Sequence, residues 1–220
     1  MNPSLRLSRI HYPVDVLGPG RRVGIWLQGC TLACSGCLSR DTWDPGAGTA
    51  TTVDDVVAVV LELTDGHVVD GVTVSGGEPF QQPDALMTLL ARLRSALDAR
   101  GSIRPVDILV YSGFALDVLR VDHSEVLAQI DALIPEPYAI SNPSPGRWRG
   151  SGNQPLVLLS GLGAQRYTSE DADELGAGIQ VVVDDESVWM IGIPRRGDLP
   201  RMERLLAERG IRMSQSSWRP

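Results

Sequence analysis

Apolar, β-rich runs alternate with amphipathic helical stretches along most of this chain, and several of the runs stop at glycine. That alternation restricts the fold more than any other feature. Arg22 to Leu27 reads as a first buried strand, Gly71 to Ser75 as a second and Val106 to Tyr111 as a third. Pro155 to Ser160, Ile179 to Val183 and Val188 to Ile193 are further strand candidates. Between them, Val53, Val56, Val57, Val60 and Leu61 recur at helical spacing behind Thr52, whose hydroxyl suits an N-cap, with Asp55 near the positive helix end. Pro83 starts a second helix, where a missing N–H costs nothing. Its buried stripe is Leu86, Leu89, Leu90, Leu93 and Leu97, and Gly101 ends it. A helix is expected over Glu125 to Ala132, then an apolar run at Leu133 and Ile134. Leu199 to Arg209 is the closing helix, capped by Gly210.

Strands alternating with helices predict an α/β fold with a mainly parallel sheet. In such folds the loops after the strands carry the site. No internal repeat is visible, and residues 1–220 read as a single domain. Ser141 to Gly150 reads as a long loop, and the tail after Arg212 as loosely held. The net charge of −7 argues against a nucleic-acid or anionic-membrane partner held by general electrostatics. No apolar run reaches the roughly 18 residues of a membrane span. Met1 to Arg6 lacks the apolar stretch of a secretory signal, so a cytoplasmic location is expected.

All three cysteines fall between Cys30 and Cys37, in the spacing Cys-x3-Cys-x2-Cys. An odd number packed this tightly makes a poor disulfide framework and a good metal site. Thiolates are the soft ligands of iron–sulfur clusters, and a short loop can wrap three of them around one cube. A [4Fe–4S] cluster held by three cysteines leaves one iron open to another ligand. Structural zinc would need a fourth ligand, and His11, His67 and His123 do not lie at finger-like spacing. Inert buried thiols are the third reading.

The second informative segment is Ser75-Gly76-Gly77-Glu78-Pro79, directly after the second strand. Glycines let a backbone approach a ligand closely, and Glu78 can accept hydrogen bonds from an ammonium. By itself a Gly-Gly pair signals only a turn.

Taken together, the Cys-x3-Cys-x2-Cys spacing and the Gly-Gly-Glu-Pro loop resemble the signatures of the radical S-adenosylmethionine (SAM) superfamily. Narrower likenesses are to the activating enzymes of anaerobic ribonucleotide reductase. They lie in Gly18-Pro19-Gly20-Arg21-Arg22, Gln28-Gly29, Asp41-Thr42-Trp43-Asp44, Tyr111-Ser112-Gly113-Phe114, Arg149-Gly150-Ser151-Gly152-Asn153-Gln154 and Gly192-Ile193-Pro194. The chain departs from that pattern at Gly36, often aromatic in the superfamily, at Leu38-Ser39 in place of His-Asn, and at Pro135 to Tyr138 in place of Asp-Gly.

The resemblance implies a partial (β/α)6-type barrel. It also implies a [4Fe–4S] cluster on Cys30, Cys34 and Cys37, whose fourth iron takes the amino and carboxylate groups of SAM. Gly76, Gly77, Glu78 and Pro79 would orient the methionine, with Ser112 and Asn153 near the ribose. Reductive cleavage of SAM would give a 5′-deoxyadenosyl radical that abstracts a hydrogen atom, with no protein residue needed as general base. The implied partners are a reductant protein of flavodoxin or ferredoxin type and a large enzyme that stores a glycyl radical. Two other readings stay open: a free-standing enzyme that modifies a peptide or small metabolite, and a non-catalytic iron–sulfur protein that transfers electrons or binds a partner.

Overall fold

The computed structural model describes residues 2–100, 105–143, 146–168, 178–183, 188–195 and 197–211. Gly101 and the tail after Arg212 lie outside the described residues. Among the described residues, seven strands form one sheet in the order β3-β1-β2-β4-β5-β6-β7. They are β1 (Ser4–Val14), β2 (Arg22–Leu27), β3 (Thr49–Thr52), β4 (Gly71–Gly76), β5 (Asp107–Tyr111), β6 (Ala132–Ile134) and β7 (Val157–Leu158). The four central strands β2, β4, β5 and β6 are parallel. Both flanks are antiparallel, β1 on β2, β3 on β1 and β7 on β6. The parallel prediction therefore holds for the centre of the sheet and not for its edges.

The parallel strands bury both faces, as crossover helices require. On β5, Ile108 and Val110 belong to the main core, whereas Leu109 packs on the opposite face with Trp148 and Tyr167. The main core is closed by α1 (Val53–Leu63) and α2 (Pro83–Asp98). Thr52 caps α1 as expected, in a capping box with Asp55: each side chain accepts a hydrogen bond from the other residue's backbone N–H. The predicted α2 stripe, Leu86, Leu89, Leu90, Leu93 and Leu97, is fully buried. Each such leucine contributes about 1.5–3 kcal/mol, and Leu90→Ala would cost about 2–5 kcal/mol.

Several predicted elements change. The helix expected over Glu125 to Ala132 is only the single turn α4 (Ser124–Leu127), because Ala132 already belongs to β6. Before it stands α3 (Leu116–Asp122). The strand expected over Pro155 to Ser160 shrinks to β7, since Ser160 caps α5 (Gly161–Arg166). Towards the end, β8 (Ile179–Val183) and β9 (Val188–Gly192) form an antiparallel hairpin, followed by α6 (Asp198–Glu208). Among the described residues no helix is long and apolar enough to cross a membrane.

Arg22 anchors the end of the sheet where the parallel strands begin. Its side chain is fully buried and uses all of its nitrogens. Nε donates to Thr73 Oγ1 at 2.7 Å, one terminal nitrogen to Asp107 Oδ1 (3.0 Å) and the Pro19 carbonyl (3.1 Å), and the other to Asp107 Oδ2 and the Val72 carbonyl (both 2.8 Å). Asp107 also accepts from the Tyr167 hydroxyl at 2.6 Å. A buried charge needs such saturation. The Gly18 to Arg22 motif thus serves the sheet, at the end remote from the cysteines.

Candidate iron–sulfur centre

β2 ends at Leu27, and Gln28-Gly29 carries the chain directly into Cys30. Gly29 has φ +104°, which lets the chain turn there. The loop is held from two sides. From one, Gly29 N donates to Thr42 O (2.8 Å) and Cys30 N to Trp43 O (3.0 Å). The Gln28 side chain donates to the Asp41 and Asp44 carbonyls at 3.0 and 2.9 Å. From the other, the loop after β4 donates back: Gly77 N to Leu27 O and Glu78 N to Gly29 O, both 2.8 Å. A Cβ on Gly77 would stand 2.2 Å from Gly29 O, and one on Gly76 (φ +108°) 2.3 Å from Leu27 O. The two glycines are therefore required by contact with the cysteine loop.

Gly36 has φ +77°, and a Cβ there would meet Ile140 Cδ1 at 2.4 Å. Ile140 is exposed and can move aside, so it is the left-handed backbone that favours glycine over an aromatic residue at this position.

Glu78 is 1% exposed and fully engaged. Its Oε1 accepts from Ser112 Oγ (2.9 Å) and Phe80 N (3.0 Å), and its Oε2 from Gly113 N (2.7 Å). Burial raises its pKa, opposed by those three hydrogen bonds. Ser112 Oγ also accepts from Phe114 N at 3.0 Å. Its hydroxyl is thus committed to bracing the ends of β4 and β5.

One cavity of about 1790 Å³ collects these pieces. Cys30, Cys34, Cys37, Gly76, Gly77, Glu78 and Ser112 all line it. Pro79 and Asn153 do not. Pro79 is buried at the start of the 3-10 turn Pro79–Gln81, and Asn153 is exposed, donating to the Pro137 carbonyl at 2.8 Å. Sequence reasoning missed the other wall, Glu136 and Tyr138 to Ile140. The Ser151 hydroxyl accepts from Ala139 N (3.1 Å), and the Gln154 side chain donates to Glu136 O (2.8 Å). The motif from Arg149 to Gln154 was the available signal, but spacing alone does not reveal which segment it braces.

Two observations bear on whether this site fits a cluster. First, the donor set is three half-buried free thiols on one loop. Among the described residues, no three His, Cys, Asp or Glu side chains converge as a single metal ion requires. The corners of a four-iron cube are different irons, so its thiolates need not meet at one point. Burial pushes the Cys30 thiol up, with backbone hydrogen bonds opposing and the charges of Glu78 and Cys37 adding to the shift. Bound iron would reverse that balance, because coordination deprotonates a thiol. Second, the buried indole Nε1 of Trp43, in the cavity wall, has no hydrogen-bond partner among the described residues. That nitrogen is itself sealed from the cavity space, so it holds no ligand, and the donor set alone carries the fit. The residues fit the group.

The site and the sheet define an iron–sulfur domain, and known proteins agree. Residues 16–157 match the family described as "4Fe-4S single cluster domain", and the chain belongs to that family. The chain is 30% identical to the anaerobic ribonucleoside-triphosphate reductase-activating protein of Escherichia coli K12, over 66% of this chain and 93% of that protein. The activating proteins of Haemophilus influenzae (32% identity, 66% of this chain, 92% of that protein) and of Enterobacteria phage T4 (30%, 66% and 89%) are similarly related. The solved structure of QueE from Escherichia coli shares 17% identity and a TM-score of 0.38, over 50% of this chain and 52% of that one, a likeness too slight to bear on function. The chain thus belongs to the 4Fe-4S single-cluster family, as its cysteine spacing led us to expect, and is a relative of the reductase-activating proteins.

Proposed function

We propose that this protein cleaves SAM reductively and abstracts a hydrogen atom from a glycine of a partner enzyme. The observation that carries the reading is the direct stapling of the Gly76–Glu78 loop onto the cysteine loop inside one cavity. Cys30, Cys34 and Cys37 would hold the cluster. When bound, that cluster supplies the electron that cleaves SAM, and the 5′-deoxyadenosyl radical released takes the hydrogen atom.

The chain's own residues position and shield. Gly76 and Gly77 bring backbone against the methionine, and Pro79 fixes the turn behind them. Glu78 holds the ends of β4 and β5 in register, and Ser112 keeps its carboxylate in place. Asn153 supports the segment that presents Tyr138. The sheet is read as the core of a partial (β/α)6-type barrel in a single domain. The relatives' names, which specify activation of anaerobic ribonucleoside-triphosphate reductase, favour a glycyl-radical enzyme as partner. A flavodoxin- or ferredoxin-type protein would deliver the electron, in the cytoplasm.

The test is product analysis. Anaerobically reconstituted, dithionite-reduced protein with SAM should release 5′-deoxyadenosine. An intact cluster without that product would overturn the reading and leave a non-catalytic iron–sulfur protein.

A further inference from the structure

Three side chains of the Ser151 to Gln154 turn bond the backbone on both sides of Tyr138. Gln154 Nε2 donates to the Glu136 carbonyl and Asn153 Nδ2 to the Pro137 carbonyl, both at 2.8 Å, and Ser151 Oγ accepts from Ala139 N at 3.1 Å. From the opposite side, Glu136 N donates to the Phe114 carbonyl (3.0 Å), and the Glu136 carboxylate accepts from Leu116 N (2.9 Å). Glu136 itself stands at φ +84°, a left-handed conformation uncommon outside glycine. Backbone in that region persists where its surroundings over-determine it. Gly150 completes the cradle. A Cβ there would stand 3.2 Å from Tyr138 Cδ2, so the ring lies close over its backbone.

This cradle presents a phenol that has no partner in the protein. The chain has four tyrosines. Tyr12 donates to the Val68 carbonyl (2.8 Å), Tyr111 to the Trp148 carbonyl (2.7 Å) and Tyr167 to Asp107 (2.6 Å). The Tyr138 hydroxyl makes no hydrogen bond among the described residues, although the residue is half-buried in the cavity wall. Cys37 is its charged neighbour: burial raises the Tyr138 pKa, and the charge of Cys37 adds to the rise. Two residues on, Ile140 lies against Gly36, which sets the segment beside the loop from Cys34 to Cys37. A phenol held in place at the edge of a metal site is a hydrogen-bond donor for its sulfurs.

We propose that Tyr138 tunes the cluster, its hydroxyl donating a hydrogen bond to a sulfur at the Cys37 corner. The inference rests on the cluster reading above. Such a bond offsets the negative charge that a cluster gains with an electron, so it raises the reduction potential. Tyr138 thus eases the one-electron reduction that precedes SAM cleavage. Ser151, Asn153 and Gln154 are positioning residues for this donor.

A redox titration of the anaerobically reconstituted protein, followed by electron paramagnetic resonance without SAM, tests the donor. Tyr138→Phe keeps the ring and removes the hydroxyl. At a fixed potential its ratio of reduced to oxidised cluster should be roughly tenfold lower, a downward shift of about 59 mV for one electron. Iron content, and the melting temperature of the iron-free chain, should match the parent, because the hydroxyl has no partner in the protein. An unchanged or raised potential would overturn the proposal. So would a shift that appears only with SAM present, which would assign the hydroxyl to SAM. If Tyr138→Phe takes up no iron, Ser151→Ala decides: loss of the brace on Ala139 should lower the potential by a smaller amount, and no change would overturn the proposal. A parent that releases 5′-deoxyadenosine while Tyr138→Phe keeps its potential would refute the tuning role alone. A parent that holds no cluster would sink both readings.

Discussion

Ser112 donates a 2.9 Å hydrogen bond to Glu78, joining the ends of β5 and β4 at the floor of the cavity. Glu78 is the acidic residue of the Gly-Gly-Glu-Pro loop, so this contact couples the third strand's exit to the loop that grips the cysteine segment. Ser112→Ala would leave the buried carboxylate with only the Phe80 and Gly113 amides as donors. The expected loss is about 1–3 kcal/mol in urea denaturation of the full chain. An unchanged midpoint would mean that the hydroxyl does not hold Glu78.

Gly77→Ala sets a methyl group against the Gly29 carbonyl, where only 2.2 Å is available. The cysteine loop must shift, so reconstitution should yield fewer irons per chain than the parent protein under the same conditions. Iron and sulfide assays measure this. Gly161→Ala is the control, since a Cβ there meets nothing within 4 Å, and it should reconstitute fully.

Asp107 shares both carboxylate oxygens with Arg22 at the opposite end of the sheet. Asp107→Ala leaves a fully buried guanidinium without its counter-charge, which costs about 3–5 kcal/mol. Equilibrium denaturation of the iron-free chain should show that loss. A loss within the range of an exposed ion pair, below about 1 kcal/mol, would contradict the burial.

Tyr167 gives the fold a dependence on alkaline pH. Burial raises its pKa well above the usual 10.0, Arg22 opposes the rise, and the charge and hydrogen bond of Asp107 add to it. Tyr111 is also raised by burial, with Arg22 opposing. In the unfolded chain these phenols lose their protons near pH 10, while the folded protein keeps them. Their stabilisation is therefore complete below pH 10 and is lost as pH rises towards their folded values. Denaturation midpoints should fall as pH rises above 10, and Tyr167→Phe should fall less steeply. Equal slopes would remove Tyr167 from the account.

The parallel centre of the fold was legible because its strands are almost wholly apolar and its helices carry clean stripes. The edges were not. β1 reads Leu-Arg-Leu-Ser-Arg-Ile-His-Tyr-Pro, mostly half-buried and broken by register shifts, so neither alternation nor an apolar run marks it. β3 is Thr-Ala-Thr-Thr with no core residue, and only its pairing with β1 makes it a strand. At the site, the cysteines and the Gly-Gly-Glu loop announced themselves by residue type and spacing. The seating of Gln28 and the brace from Gln154 did not, because each joins segments far apart in the chain. Asn153 shows the converse: it sits in a recognisable motif, but its side chain turns to Pro137 and away from the cavity lining.

The central claim is that Cys30, Cys34 and Cys37 hold a four-iron cluster whose remaining iron is open to SAM. Electron paramagnetic resonance of the reduced, reconstituted protein tests it most directly, recorded with and without SAM and repeated on Cys34→Ala. The account predicts a cluster signal that changes shape when SAM is added, and loss of that change in Cys34→Ala. A parent signal indifferent to SAM, or a Cys34→Ala variant that responds as the parent does, would contradict it.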